Sequence, residues 1–269
     1  MNMKKLNVLF IGDIFGEPGV VTVEKVLPKI IKENNIDFVI AQGENVTGRK
    51  GLDNQDYLRL KNIGVNAITM GNHVWANPDI YNFIENSDVI RPLNIPIDYP
   101  GVGSKTFDVK GFKLQVISLM GITFNTLMSP WNEEEALNFF DSIDILLDSI
   151  ENVDFRFVDF HAETTSEKNV LGLYLDGKVN AVCGTHTHVQ TNDYRTLPNG
   201  TAYISDAGMC GPQNAAIGAN YEQVYKKMRY GSKEKFEVSP NNTQFNAVII
   251  EMSENKNKIS PIRIDDIKF

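Results

Sequence analysis

The chain has 269 residues, 42% of them hydrophobic and 22% charged, which is apolar material enough for a large globular core. Its formal net charge of −8 speaks against a nucleic-acid polymer as partner, because a polyanion needs a basic face. The amino-terminal apolar run, Val8 to Ile11, is too short for a signal peptide, and no stretch reaches the roughly 18 apolar residues of a membrane span, so a cytoplasmic protein is expected.

In chain order, Leu6 to Ile11 reads as a buried strand ending in Gly12-Asp13. Pro18 suits the first turn of a helix, along which Val20, Val23, Leu27, Ile30 and Ile31 recur at helical spacing up to Asn34-Asn35. A second strand, Asp37 to Gln42, ends in Gly43-Glu44-Asn45. After the polar loop Thr47–Asn54 a helix is expected near Asp56–Asn62, stopping at Gly64. The third strand, Asn66 to Met70, ends in Gly71-Asn72-His73, and Asn77-Pro78 reads as the start of another helix. This β-α-β-α-β opening predicts a parallel sheet with all strand carboxyl ends on one edge, where ligands bind in open α/β folds.

Arg91 to Gly103 is rich in Pro and Gly and reads as loop. Thr106–Val109 and Lys113–Leu119, separated by Lys110-Gly111, read as a hairpin. Glu133 to Ile150 carries a helical apolar face. Phe155–Phe160 and Val179–Cys183 read as strands, followed by Thr201–Ser205, Phe245–Met252 and Ile259–Ile264. With no linker, low-complexity stretch or repeat, one domain over 1–269 is expected. Cys183 and Cys210 form no C-x-x-C pattern and read as reduced thiols.

The chain has four histidines: His73, His161, His186 and His188. Each follows an apolar run, so all four are expected at strand ends. In Gly184-Thr185-His186-Thr187-His188 the i, i+2 spacing on an extended chain would turn both imidazoles to one side. Asp13, Glu44, Asn45, Asn72, His73, His161, His186 and His188 together form an oxygen and imidazole set without thiolate, which suits Fe, Mn or Zn. Eight groups exceed the needs of one ion with open positions, so two metal ions are expected, with Glu44 as the bridging carboxylate. Two ions about 3.5–4 Å apart can hold a hydroxide between them and clamp an ester phosphate for in-line attack. His73, next to the metal-facing Asn72, is the candidate proton donor. Thr47, Arg49 and Lys50, in the loop after Glu44, read as a solvated loop, with contact to substrate phosphate as the alternative, and Asp159, Glu163 and Asp206 as supporting or structural residues rather than ligands.

Gly12-Asp13, Gly43-Glu44-Asn45, Gly71-Asn72-His73, His161 and Gly184-Thr185-His186-Thr187-His188 resemble, in order, the motifs of the calcineurin-like metallophosphoesterase superfamily. Two departures stand out: no histidine follows Asp13, and Glu44-Asn45 replaces the usual bridging aspartate motif. Both are shared with the bacterial YmdB-like family of 2′,3′-cyclic-nucleotide 2′-phosphodiesterases. The runs 161–168, 184–189 and 202–211 are similar to that family as well. The resemblance implies a four-layer αββα sandwich of two mixed sheets and a di-iron centre (Fe2+/Fe3+). It implies Asp13, Glu44, Asn45 and His188 on one metal, Glu44, Asn72, His161 and His186 on the other, and His73 as proton donor. The implied substrate is a small phosphodiester or cyclic nucleotide, 2′,3′ or also 3′,5′; oligomeric state stays open, a homo-oligomer included. A metal-dependent amidohydrolase is the rival enzyme class, but its H-x-H pair sits near the chain start and it has no place for Asn72-His73. A metal-stabilised scaffold protein with little turnover is the non-enzymatic rival.

Overall fold

The computed structural model describes residues 5–125, 135–149, 152–254 and 256–269. The first sheet is built on β1 (Lys5–Ile11), β2 (Asp13–Ile14), β3 (Phe38–Gln42), β4 (Ala67–Thr69) and β5 (Val89–Ile90). The second takes β6 (Ser104–Val109), β7 (Phe112–Met120), β8 (Phe155–His161), β9 (Ala181–Thr185), β10 (Arg195–Thr196) and β11 (Ala202–Ile204). β12 (Met209–Pro212), β13 (Thr243–Ser253) and β14 (Lys258–Ile267) return to the first sheet, whose order is β2-β12-β13-β1-β3-β4-β5 with β14 beside β13; the second runs β10-β11-β9-β8-β7-β6. β1, β3, β4 and β5 are parallel, as are β7, β8, β9 and β11, while β13 and β6 pair antiparallel to their neighbours. Both sheets are mixed.

Strand alternation explains the layering. On β1, Leu6, Val8 and Phe10 face one way and pack with Phe155, Phe157, Ala181 and Cys183 of the second sheet, forming the inter-sheet core. Leu9 and Ile11 face the other way, onto Val20, Val23 and Leu27 of α1 (Gly16–Glu33) and Leu60 of α2 (Asn54–Asn62). On β8, Val158 and Phe160 turn outward onto Phe139 and Ile143 of α3 (Phe139–Leu147) and Leu171 of α4 (Thr165–Tyr174). The result is an αββα sandwich, as the resemblance implies. A fifth helix, α5 (Tyr221–Tyr230), lies on the chain between β12 and β13.

The caps follow the local chemistry. Asp53 accepts from Asp56 N at the start of α2, and Asn220 caps α5, which ends at Gly231 in the left-handed region. Two-residue hairpin chemistry is visible at Lys110-Gly111, both with positive φ, joining β6 to β7. Asn77 caps the helix that Pro78 opens, as expected, its side chain accepting from Asp79 N; the helix is a short 3₁₀ one, Pro78–Asn82. One expectation needs correction. The helix expected from Glu133 is observed as Phe139–Leu147, started by Asn138, whose side chain accepts from Phe140 N and Asp141 N; residues 133, 134 and 150 lie outside the described residues. Cys183 and Cys210 are free and buried, and among the described residues no helix is long and apolar enough to cross a membrane.

Candidate metal centre

All eight candidate residues sit at or just beyond strand carboxyl ends, and the two sheets bring them into one buried cluster. Asp13 opens β2 directly after β1; Glu44 and Asn45 follow β3; Asn72 and His73 follow β4; His161 ends β8; His186 and His188 follow β9. Asp13, Glu44 and His161 are essentially inaccessible to solvent. Gly71 permits the closeness of the cluster: a Cβ there would fall within 3.0 Å of both His161 and Glu44.

Glu44 is the hub. Its Oε1 lies 2.9 Å from His73 Nδ1, 3.2 Å from His161 Nε2 and 3.3 Å from Asn45 Nδ2, and its Oε2 accepts from His73 N at 3.1 Å. On one side Asn45 Nδ2 lies 3.2 Å from His188 Nε2, which is 3.8 Å from Asp13 Oδ1. On the other, His161 Nε2 lies 3.2 Å from Asn72 Oδ1 and 2.9 Å from His186 Nδ1. Two groups of side chains therefore meet at a single carboxylate.

The two imidazoles after β9 do converge, but not by strand alternation. β9 ends at Thr185, and His186 and His188 have φ values of 98° and 64°. Left-handed backbone at a non-glycine residue costs on the order of 1–3 kcal/mol, and here the surroundings hold it. His186 N donates to Asp13 Oδ2 at 3.1 Å, while Thr187 N and Oγ1 donate to Asp206 Oδ2 at 3.1 and 2.7 Å. Buried Lys168 neutralises Asp206 at 2.9 Å and donates to Thr185 O at 2.8 Å. Asp206 is thus the anchor of the histidine loop. Asp159 plays the equivalent part behind His161, accepting from Thr185 Oγ1 at 2.7 Å and Thr69 Oγ1 at 2.6 Å.

These outer bonds set which nitrogen faces inward. A carbonyl can only accept, so the 3.0 Å contact of His188 Nδ1 with Ile217 O puts the proton on Nδ1 and leaves Nε2 a lone pair toward Asp13 and Asn45. Glu163 Oε2, 3.0 Å from His186 Nε2, does the same there, leaving Nδ1 to the cluster. His161 Nδ1 has a neighbour of each kind, Thr185 Oγ1 at 3.0 Å, whose own hydrogen goes to Asp159, and the donating Nε2 of Gln42 at 3.1 Å; its Nε2 is the nitrogen that faces the cluster.

The electrostatics mark the same place as one that favours positive charge. Burial alone would raise the Glu44 carboxyl, but the charges of His161 and His73 hold it well below the usual range. Burial disfavours charge on His161, yet Glu44, then Asp13 and Asp159, outweigh it and push its pKa to about 9. Burial and the neighbouring His161 charge drive His186 down to about 3. Burial pushes Asp13 up, and its Oδ1 has no hydrogen-bond partner. A proton on His161 Nε2 would thus face three acceptors at once, from Glu44, Asn72 and His186. Lone pairs directed at one place, an orphaned carboxylate oxygen and a hard O/N donor set fit a metal cation. Ligand atoms of Glu44, His161 and His186 all lie within 4.8 Å of one another.

The sequence model of the YmdB-like protein family matches residues 9–264. The chain belongs to the YmdB-like family. It is 38% identical over 265 residues to the 2′,3′-cyclic-nucleotide 2′-phosphodiesterase of Bacillus subtilis (strain 168), an alignment covering 97% of this chain and 98% of that one. Among solved structures, a phosphatase from Mycoplasma pneumoniae is similar at a TM-score of 0.90 and 38% identity, covering 99% of this chain and 95% of that one. A hypothetical protein from Thermus thermophilus gives 0.89 and 38%, covering 97% and 100%. The YmdB-like assignment agrees with the resemblance read from the strand-end motifs.

Beside the cluster lies a cleft of about 600 Å³, lined by His73, Glu163 and His186–His188, but also by Phe15, Arg49, Lys50, Ile217, Val224, Met228 and Phe236. The apolar wall did not enter the sequence reading. Its signal was present: Asn220 as a cap, then Tyr221, Val224, Tyr225 and Met228 at helical spacing, then Gly231. The loop after Glu44 divides. Thr47 is structural, its hydroxyl donating to Asp56 Oδ2 at 2.8 Å and accepting from Asp53 N at 3.0 Å, whereas Arg49 and Lys50 border the cleft.

Proposed function

We propose that the chain is a dinuclear-metal phosphodiesterase that opens 2′,3′-cyclic nucleotides. The observation that carries this reading is the division of the cluster into two donor groups sharing Glu44, supported by the 38% identity to the Bacillus subtilis phosphodiesterase. Asp13, Asn45 and His188 would hold one ion, Asn72, His161 and His186 the other, and Glu44 both. Asn45 would ligate through Oδ1, with its amide turned over from the orientation in which Nδ2 faces Glu44 and His188 and Oδ1 faces His73. Iron is the metal the family resemblance favours, with Mn or Zn as alternatives of similar hardness. When bound, such ions supply Lewis acidity that neutralises phosphate oxygens and acidifies water.

The chain's own part is to orient and to move a proton. Asp206 and Asp159 fix the histidine loop and His161 through buried hydrogen bonds, so little reorganisation is needed on reaction. His73 stands with Nδ1 tied to Glu44 Oε1 and Asn45 Oδ1 at 2.9 and 3.1 Å, and its ring borders the cleft. That leaves Nε2 to hand a proton to the departing oxygen. Water adds across the P–O2′ bond: its oxygen joins phosphorus and gives up a proton to solvent, O2′ leaves as a hydroxyl with the His73 proton, and His73 is reprotonated from solvent.

Purified protein reconstituted with Mn2+ or Fe2+ is expected to hydrolyse bis-p-nitrophenyl phosphate and 2′,3′-cyclic AMP. His73→Ala is expected to keep its metal and lose about 10²–10⁴-fold in kcat, the usual worth of a general acid. A wild-type protein that binds metal but turns over neither diester would favour the scaffold reading instead.

A further inference from the structure

The cleft does not end at the catalytic cluster. Ala216, Val224 and Met228 line it and also line a second hollow of about 480 Å³, completed by Tyr221, Tyr225 and Arg229. The two hollows therefore share a wall along α5. The second is furnished with rings. Tyr221 and Tyr225 stack at 5.8 Å and 20°, Tyr230 meets Tyr225 edge-on at 5.9 Å, and the Arg229 guanidinium lies 5.7 and 5.5 Å over Tyr225 and Tyr230. These side chains are not a buried core: Met228 is 83%, Tyr230 67% and Tyr221 55% exposed. A contiguous exposed apolar patch opening into a cleft marks a binding surface.

Cations gather on the same path in a chain whose net charge is −8. Lys227 Nζ lies 5.6 Å over Phe236 of the cleft wall, Arg229 lines the second hollow, and Arg49 and Lys50 border the first. Arg49 and Lys50 form no ion pair among the described residues, and Arg49 is half-buried with a φ of 85°, a conformation that costs energy in a non-glycine residue. Exposed tyrosines interleaved with arginine and lysine form the surface on which single-stranded bases stack while the backbone phosphates are neutralised.

We propose that the second hollow seats the nucleotide upstream of the scissile phosphate, so that the substrate class includes short single-stranded RNA ending in a 2′,3′-cyclic phosphate. This rests on the phosphodiesterase reading of the first cleft. The terminal cyclic phosphate lies at the metal cluster, the terminal base lies against Phe15, Met228 and Phe236, and the preceding base extends the Tyr225–Tyr221 stack at its exposed Tyr221 end. The reaction is unchanged: water is consumed, the P–O2′ bond breaks, and a 3′-phosphomonoester and a free 2′-hydroxyl remain. The excess of negative charge elsewhere on the chain restricts this to a few nucleotides rather than a long polymer.

The test compares kcat/KM of the metal-loaded full chain on 2′,3′-cyclic AMP and on an adenylate tetranucleotide ending in a 2′,3′-cyclic phosphate. The tetranucleotide is expected to be the better substrate by about tenfold, the worth of one stacked base. Tyr221→Ala is expected to remove that advantage through KM while changing cyclic AMP turnover less than twofold, and Arg229→Gln to do so in part. Raising NaCl from 50 to 200 mM is expected to raise the tetranucleotide KM by roughly sevenfold if two extra phosphates are neutralised at about 0.7 per phosphate in logarithmic slope. Equal kcat/KM for the two substrates overturns the proposal, as does a Tyr221→Ala variant that loses both activities together. So does a Tyr221→Ala variant that leaves the ratio intact and dissociates a dimer in sedimentation, which would make α5 an interface between copies. Failure of the wild type on both nucleotides removes the catalytic reading itself, and this proposal with it.

Discussion

Gly71→Ala probes the geometry of the centre with one methyl group. The added Cβ would lie within 3.0 Å of His161 and of the Glu44 carboxylate, where ordinary contact requires at least 3.4 Å. His161 cannot retreat, because it is wholly buried and held from behind by Thr185 and Asp159. The strain of such overpacking is about 1–3 kcal/mol, or a Tm lowered by some 2–10 °C in a chain of this size. The fold should survive. The larger effect falls on function, since a displacement of about 1 Å at a catalytic group costs on the order of 10²-fold. The assay pairs metal content after dialysis, measured by plasma mass spectrometry, with kcat/KM on bis-p-nitrophenyl phosphate and calorimetric Tm. A folded protein with reduced metal and roughly 10²-fold lower activity is expected. Wild-type metal content and activity would refute the crowding of His161 and Glu44 against Gly71.

Metal uptake should release protons: His161 in the bare chain titrates at about 9, so at pH 7.5 it is protonated and must give up one proton per centre. Calorimetry of Mn2+ binding in buffers of different ionisation heat reads this directly, and affinity should rise about tenfold per pH unit up to about 9, then level off; no proton release at pH 7.5 would contradict it. Far from the site, Asp88 lies 2.7 Å from Lys61 Nζ and 2.8 Å from Lys105 Nζ. Burial opposes its charge, but the two lysines override this and lower its pKa. A depressed folded pKa gives stability that is present above the unfolded value near 4 and lost as pH falls through the folded one. Asp88→Asn should therefore cost about 1 kcal/mol at pH 7 and lose that deficit as pH falls through the lowered folded pKa of Asp88, as followed by urea unfolding at pH 7 and in acid; an unchanged midpoint at pH 7 would count against the pairing.

Much of the centre was legible because the chemistry is concentrated where strands end. Gly12-Asp13, Gly43-Glu44 and Gly71-Asn72 each close an apolar run, and the parallel arrangement of β1, β3 and β4 places them on one edge. What the sequence could not show was the second sheet folding back so that His161 meets Asn72 and Glu44, since that depends on tertiary packing between β8 and β4. The reason for the convergence of His186 and His188 also escaped it. The i, i+2 rule gives the right outcome for an extended chain, but these residues are left-handed and are placed by Asp13, Asp206 and Ile217. Short pieces such as β2, β5, β10 and β12 escaped as well, because two to four residues carry no periodicity. α5 had a readable cap and spacing, but its apolar face lines a cleft rather than the core, so a search for core elements passes over it.

The claim on which the account turns is that two cations share Glu44. Anomalous X-ray scattering from crystals of the Mn2+- or Fe-loaded protein measures this most directly. Two peaks are predicted, one bounded by Asp13, Asn45 and His188 and the other by Asn72, His161 and His186, with Glu44 touching both. A single peak, or two peaks without Glu44 between them, would contradict it.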